Sequence, residues 1–372
     1  MATETLPDDR ALRIGRRERV LKQMAVHDLD LLVLGRQANV RYVSGTPQLW
    51  VAGTRPFGPI CVLERATGEV HLNSTWDEGV PEEIGRDRLY GLSWSPYTLT
   101  DVLKGLEASA VAKRVGTDAL SPTFAQLLPR AFPNAQLVDG EPAMRAARRI
   151  KTGEEIVALR KAVDVAGTAL AAALRELAPG SREPALVGAL MEAMTMVGVS
   201  TPATQNGAWV TSSEHPWRQA REDGRIQSGD LVAFAAGALA DGYVGEIGRT
   251  AIAGDEPAGA AALFGRSKVL RERLIAACRP GAPAAGLLDV YQQAGEVLPP
   301  MPVAHGLGMG FDTPVVSPEL ARSVAETRLE AGMVLAVTGY VWQDGLGAVF
   351  TRDAVHVTDD GPVVLTSVQG GQ

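Results

Sequence analysis

A helix-start signal well inside the chain divides it in two. Thr152 and Glu155 stand three residues apart, the spacing at which each side chain can accept from the other's backbone N–H at a helix N-terminus. Ile156, Leu159, Val163, Ala166 and Leu170 then recur along one helical face. A chain of 372 residues suits two domains, each large enough to bury its own core. The start signal fits a boundary near Met144–Gly153.

Upstream of that boundary, helical and strand-like segments alternate. Leu12, Ile14, Val20, Leu21 and Met24 share one face of a helix over 11–28. Leu29–Leu34 is a short apolar run of the kind that forms a buried strand. Pro59–Leu63, Glu69–Leu72 and Arg114–Thr117 read as further strands, and Val102–Ala112 as a helix. Such alternation predicts an α/β domain. Downstream, a second helix is expected over Pro184–Val197, with strands at Leu231–Ala235 and Tyr243–Ala253. Helices near 258–279 and 285–297 precede His305, and strands at Val334–Tyr340 and Ala348–Val357 end the chain.

Composition narrows the function classes. The net charge is −7 and no long basic run occurs, so no nucleic-acid partner is expected. No window approaches ~18 consecutive apolar residues, so no membrane helix is expected. Met1–Arg10 is acidic and polar, without the apolar stretch of a secretory leader. Cys61 and Cys278 lie far apart, in no metal-type spacing. They fit a reducing compartment, and the expected location is cytoplasmic.

Short motifs occur in order along both parts. Asn39-Val40-Arg41-Tyr42-Val43-Ser44-Gly45 resembles the N-x-R-Y-L-T/S-G run of creatinase-type N-terminal domains. Arg148-Arg149-Ile150-Lys151-Thr152 resembles the R-x-I-K-S/T entry to the domain that follows, which implies domains of 1–147 and 148–372. Gly229-Asp230-Leu231-Val232, Gly242-Tyr243 and Ile247-Gly248-Arg249-Thr250 resemble the core of the pita-bread superfamily, which includes creatinase, aminopeptidase P, prolidase and methionine aminopeptidase. The resemblance covers nearly the whole chain. It implies an α/β creatinase-type N-terminal domain followed by an α+β pita-bread domain, in a homodimer whose N-terminal domain lies near the partner's active site.

Metal-dependent members of that superfamily supply two Asp, one His and two Glu. The matching positions here hold Ala235, Glu246, His305, Thr338 and Arg352. His305 sits in Ala304-His305-Gly306-Leu307-Gly308-Met309-Gly310-Phe311, which resembles G-H-G-I-G-x-x-F/V, and Asp312 follows where the superfamily often has a second His. Ala235 has no donor atom, and a guanidinium in a dication site is repulsive. The resemblance therefore carries an expectation of no metal and no cofactor. Glu246 and Arg352 are expected to pair instead, because a buried charge needs a partner.

The resemblance to creatinase implies a function as well. Ser213-Glu214-His215-Pro216-Trp217 stands where creatinase has its acid/base histidine, and imidazole titrates near neutral pH. His215, Glu246 and His305 are the candidate catalytic residues. For His215 the alternative is a surface-loop histidine, and for His305 an inherited structural one. Arg352, Arg55, Thr338, Asp312, Trp50, Trp217 and Tyr243 are the candidate substrate-binding residues. Arg55 could bind a carboxylate or face solvent, and Trp50 and Trp217 could wall a pocket or pack in a core. The expected function is a metal-independent, creatinase-like enzyme hydrolysing a C–N bond of a small polar substrate, anionic or amino-acid-derived. The alternatives are a biosynthetic lyase, cyclase or isomerase, and a non-catalytic pseudopeptidase acting as a binding module.

Overall fold

Thr152 and Glu155 form the capping box that their spacing predicts. In the computed structural model, which describes residues 7–47, 60–74, 79–91, 93, 95–118, 121–212 and 217–366, the Glu155 N–H donates to Thr152 Oγ1 at 3.2 Å. The Thr152 N–H returns a bond to Glu155 Oε2 at 3.0 Å. The chain divides into one unit over Pro7–Arg148 and a second from Arg149 onward.

The first unit alternates helix and strand. Its elements are α1 (Asp9–Val26), β1 (Leu31–Leu34), α2 (Gln37–Ser44), β2 (Cys61–Glu64), β3 (Val70–Leu72), α3 (Pro96–Lys104), α4 (Glu107–Val111), β4 (Arg114–Thr117), α5 (Pro122–Ala131), β5 (Gln136–Asp139) and α6 (Glu141–Arg149). The strand order is β3-β2-β1-β4-β5. The β1–β4 and β4–β5 pairs are parallel, and β1–β2 and β2–β3 antiparallel. Leu31, Val33 and Val115 of the sheet pack with Leu99, Leu103, Phe124 and Leu128 of the helices. The single helix expected over Val102–Ala112 is two helices, separated at Gly105 and Leu106. Glycine has low helix propensity, and Gly105 is the C-cap of α3. Asn39 and Tyr42 of the first motif have structural work: Asn39 Nδ2 donates to Asp118 and Glu141 at 2.8 and 2.9 Å, and the Tyr42 hydroxyl to the Ala147 carbonyl at 3.1 Å.

The second unit is built on a mostly antiparallel sheet. Its elements are α7 (Gly153–Arg175), α8 (Glu183–Met196), β6 (Gly207–Val210), β7 (Leu231–Ala240), β8 (Tyr243–Ile252), α9 (Ala260–Ala277), α10 (Gly286–Ala294), β9 (Ala304–Leu307), β10 (Phe311–Val316), α11 (Ala321–Val324), β11 (Val334–Gln343), β12 (Gly347–Thr358) and β13 (Gly361–Val364). The order is β10-β9-β11-β12-β8-β7-β6, with β13 also paired to β12.

Side chains alternate between the two faces of a strand, and this period separates packing from chemistry. Val232, Phe234, Ala236 and Ile247 pack with Ala166, Ala169 and Leu170 of α7 and with Leu186 and Leu190 of α8. Ala304, Leu335, Val337, Val341, Val349 and Val355 pack with Leu263, Leu270 and Leu274 of α9 and with Leu287 and Tyr291 of α10. One face is thus closed by two helix pairs. Gly245 lies on that face, and a Cβ there would stand 2.1 Å from the Ala162 backbone of α7. Only glycine allows helix and strand to approach so closely. Among the described residues no helix is long and apolar enough to cross a membrane.

Candidate functional site

The strand register brings the other set of side chains together. Ala235 lies opposite Gly248, Gly248 opposite Arg352, and Arg352 opposite Thr338. This row crosses β7, β8, β12 and β11. Glu246 is two residues before Gly248, so it shares the face. His305 lies opposite Ala336, two residues before Thr338, so it does too. Ala235, Glu246, His305, Thr338 and Arg352 therefore occupy the face that the helix pairs leave uncovered.

Arg352 is the hub. Its Nη1 donates to Glu246 Oε2 at 3.0 Å and its Nε to Thr338 Oγ1 at 3.2 Å. Its Nη2 lies 3.4 Å from Met301 Sδ, a weak acceptor. His305 Nε2 stands 3.4 Å from the same Glu246 oxygen. The guanidinium carbon is 4.8 Å from the Trp217 ring centroid and 5.5 Å from that of Phe350, within cation–π range. Glu246 is 1% exposed and Arg352 7%. The expected Glu246–Arg352 pair is thus present as a buried ion pair.

The electrostatics follow from that burial. Removal from water pushes the Glu246 carboxyl up, but Arg352, followed by His305, more than reverses it and holds the group below the usual glutamate value. Among the described residues, Glu246 Oε1 has no hydrogen-bond partner, and neither has the buried Trp209 Nε1. A buried carboxylate oxygen left without a donor is costly. The site therefore presents an acceptor for an N–H or O–H donor beside a fixed positive charge.

An aromatic wall closes the Ala235 side. Trp209, Ala233, Ala235 and Phe350 form one buried cluster, with Trp217 and Met301 packed on it. The Trp217 ring meets Trp209 and Phe350 edge-on, at 5.3 and 5.4 Å between centroids. Arg218 anchors the Trp217 segment: its Nη1 and Nη2 donate to the buried Glu183 carboxylate of α8 at 3.0 and 2.7 Å. Phe350 and Trp209 were missed from sequence. The period of two would have found Phe350, two residues before Arg352; for Trp209 no local signal exists, because its place depends on the pairing of β6 with β7.

Two candidate residues belong elsewhere. Tyr243 precedes Glu246 by three residues, so it projects from the opposite face. Its hydroxyl donates to Glu155 Oε1 at 3.2 Å, tying β8 to the start of α7. Asp312 lies opposite Gly306, which is itself opposite Leu335 on the helix-covered side. Its carboxylate pairs at 3.1 Å with Lys151, and both side chains are almost fully buried. A Cβ on Gly308 would come within 2.3 Å of Asp312 Oδ2, so glycine there leaves room for this pair. Tyr243 and Asp312 hold the scaffold and do not join the Glu246 cluster. His215, Arg55 and Trp50 lie outside the described residues.

Comparison with known proteins fits this architecture. A model described as metallopeptidase family M24 matches residues 157–359, and one described as the creatinase/prolidase N-terminal domain matches 16–150. An Xaa-Pro dipeptidase from Pyrococcus furiosus is 25% identical over 95% of this chain and 98% of its own length. The prolidase structure from Pyrococcus horikoshii OT3 superposes with a TM-score of 0.78 at 21% identity, over 95% of this chain and 98% of that one. Aminopeptidase P from E. coli, with the inhibitor Pro-Leu, gives 0.75 at 18% identity over 98% and 96%. The fold is a creatinase-like N-terminal domain followed by a pita-bread domain, as these structures have it. The expectation of a metal-independent, creatinase-like enzyme is corrected by the same findings. The full-length relative is named an Xaa-Pro dipeptidase and the neighbours a prolidase and an aminopeptidase, which also leaves the lyase and non-catalytic alternatives without support. The motif around His215 is a few residues long, whereas the similarity to the peptidases runs along the whole chain.

Proposed function

The chain belongs to metallopeptidase family M24, whose model spans more than half of its 372 residues, and on that premise we propose that it is a hydrolase of dipeptide-sized substrates of the Xaa-Pro kind. The observation that carries this reading is the match to an Xaa-Pro dipeptidase over 95% of the chain. The site supports it. Glu246 Oε1 is a buried acceptor without a partner among the described residues, suited to an N–H or O–H of a bound substrate. Arg352 supplies a positive charge for a substrate oxygen, and guanidinium matches carboxylate geometry well. Trp217, packed on the buried Trp209 and Phe350, offers an apolar surface for a ring such as that of proline.

The family name implies a metal, and the residues present do not fit one. Hard divalent cations take ~6 oxygen ligands or more, and zinc about four nitrogen, oxygen or sulfur ligands. Among the described residues around Glu246, the ionisable donors are that carboxylate and His305; Thr338 Oγ1 already accepts from Arg352, and Ala235 offers nothing. Among the described residues, the one group of three His, Cys, Asp or Glu close enough to share an ion is Glu64, Glu69 and His71, in the other unit. The Arg352 guanidinium adds repulsion, about 4 kcal/mol per unit of cation charge at ~4 Å in an effective dielectric near 20. No catalytic step is therefore drawn through a metal.

Purified protein tests the substrate reading with a panel of Xaa-Pro dipeptides and matched dipeptides lacking proline. Thermal unfolding should show a saturable rise for the proline-containing set, approaching ~2.7 kcal/mol of stabilisation at ~100 times Kd, with free proline appearing on incubation. Neither a shift nor proline release across the panel removes the reading. The proposal extends to a homodimer, which the superfamily resemblance supports, and to a cytoplasmic location, which the two buried free cysteines support. Light scattering that returns the mass of a single 39.2 kDa chain rejects the dimer.

A further inference from the structure

We infer that the Arg352 guanidinium is the resident cation of this site, standing in for the divalent ions that the family name implies, and that the site takes up no divalent metal. The inference rests on the donor set and not on the substrate reading. Arg352 is fixed by Glu246, Thr338, Met301 and the faces of Trp217 and Phe350. One carboxylate and one guanidinium already balance, and the carboxyl is held in its charged form. A metal entering beside Glu246 would have to displace Arg352 from its carboxylate and leave a buried guanidinium without its counter-charge.

The row across the sheet shows how the exchange is built in. At Ala235 a methyl group faces Trp209 and Phe350, so that end offers apolar surface where a cation needs oxygen. At Thr338 the hydroxyl accepts from Arg352 Nε, so the side chain serves the guanidinium. Substitutions at three positions of one transverse row thus act together: an apolar end, a cation in the middle, and an acceptor that orients it.

The test is a metal titration that needs no substrate. Protein dialysed against EDTA is titrated with MnCl2, CoCl2 and ZnCl2 by calorimetry and thermal unfolding. The His71→Ala background removes the Glu64–Glu69–His71 group as a competing site. The expected result is no saturable binding below about 0.1 mM, the weak end of biological divalent sites, and no metal-dependent shift in Tm. Stoichiometric binding that Glu246→Gln abolishes overturns the inference. A second arm restores the donors with Ala235→Asp, Thr338→Glu and Arg352→Glu together. The folded triple variant should gain Mn2+ binding and a rise in Tm of about 5–10 °C at saturating metal. A folded triple variant blind to metal also overturns it, since Arg352 and its row would then not be what excludes the ion. The parent arm uses no substitution in the site and decides the matter if the triple variant does not fold. Failure of the dipeptide panel leaves this result untouched.

Discussion

Arg352→Leu should lower the unfolding free energy of the second unit by about 3–5 kcal/mol at pH 7, the usual cost of removing one partner of a buried ion pair. The substitution leaves the Glu246 carboxylate 1% exposed, with His305 at 3.4 Å beside it. The loss should depend on pH. In the native chain the folded-state value of Glu246 is depressed, so its stabilisation is present above the unfolded value of about 4.3. It is lost as pH falls through the folded value. In Arg352→Leu, burial acts with its main opponent gone, and the carboxyl takes up a proton more readily in the folded state. The deficit should therefore be largest at neutral pH and shrink towards about pH 4.5. Adding Glu246→Gln to Arg352→Leu should recover much of it, because no uncompensated charge then remains. Urea midpoints for the native chain, both single variants and the double variant, at pH 7 and about pH 4.5, check this. A deficit below about 1 kcal/mol, or one that does not change with pH, contradicts a strong buried pair.

The second large effect is expected on the opposite face of the sheet. Asp312→Ala removes the carboxylate that Lys151 Nζ meets at 3.1 Å, and leaves the ammonium beside the Arg149 carbonyl at 3.4 Å. Both side chains of the native pair are almost wholly buried, so a loss of about 3–5 kcal/mol is again expected. Replacing both, with Lys151→Met and Asp312→Leu, should cost much less, since apolar groups of similar volume can take the place of a buried pair. Unlike Arg352→Leu, Asp312→Ala should leave the affinity for any bound dipeptide unchanged once stability is corrected for, because Asp312 lies on the helix-covered side. A selective loss of binding in folded Asp312→Ala would return Asp312 to the site.

The two buried pairs differ in how far sequence could reach them. Glu246 and Arg352 stand 106 residues apart, yet the motifs around each position put both in one place, and charge balance then required a partner. Lys151 and Asp312 sit in motifs too, but no pattern said that they touch: one lies just before a helix, the other on a strand with a bulge. Regular elements with strong periodicity were readable. The α7 face and its capping box, β8, β11 and β12 emerge close to where spacing puts them. The break at Gly105 was not readable, because a helical pattern can continue across one glycine and tertiary packing decides whether it does. Tyr243 stands near Glu246 in the chain, but residues three apart on a strand project to opposite sides, so that nearness does not bring it to the same face. The functional error was of another kind. A histidine beside a proline in a short loop motif suggested one branch of the superfamily, while similarity spread thinly along 367 aligned residues pointed to another, and no single motif shows a diffuse signal.

The alternation within β7, β8, β11 and β12 has a consequence for how such proteins diversify. Residues that clamp the helices and residues of the Glu246–Arg352 face occupy interleaved positions, so a lineage can rewrite one register while the other keeps the chain folding. A methyl, a hydroxyl and a guanidinium standing in a single transverse row are what such rewriting would leave behind: new occupants at old addresses, on unaltered architecture.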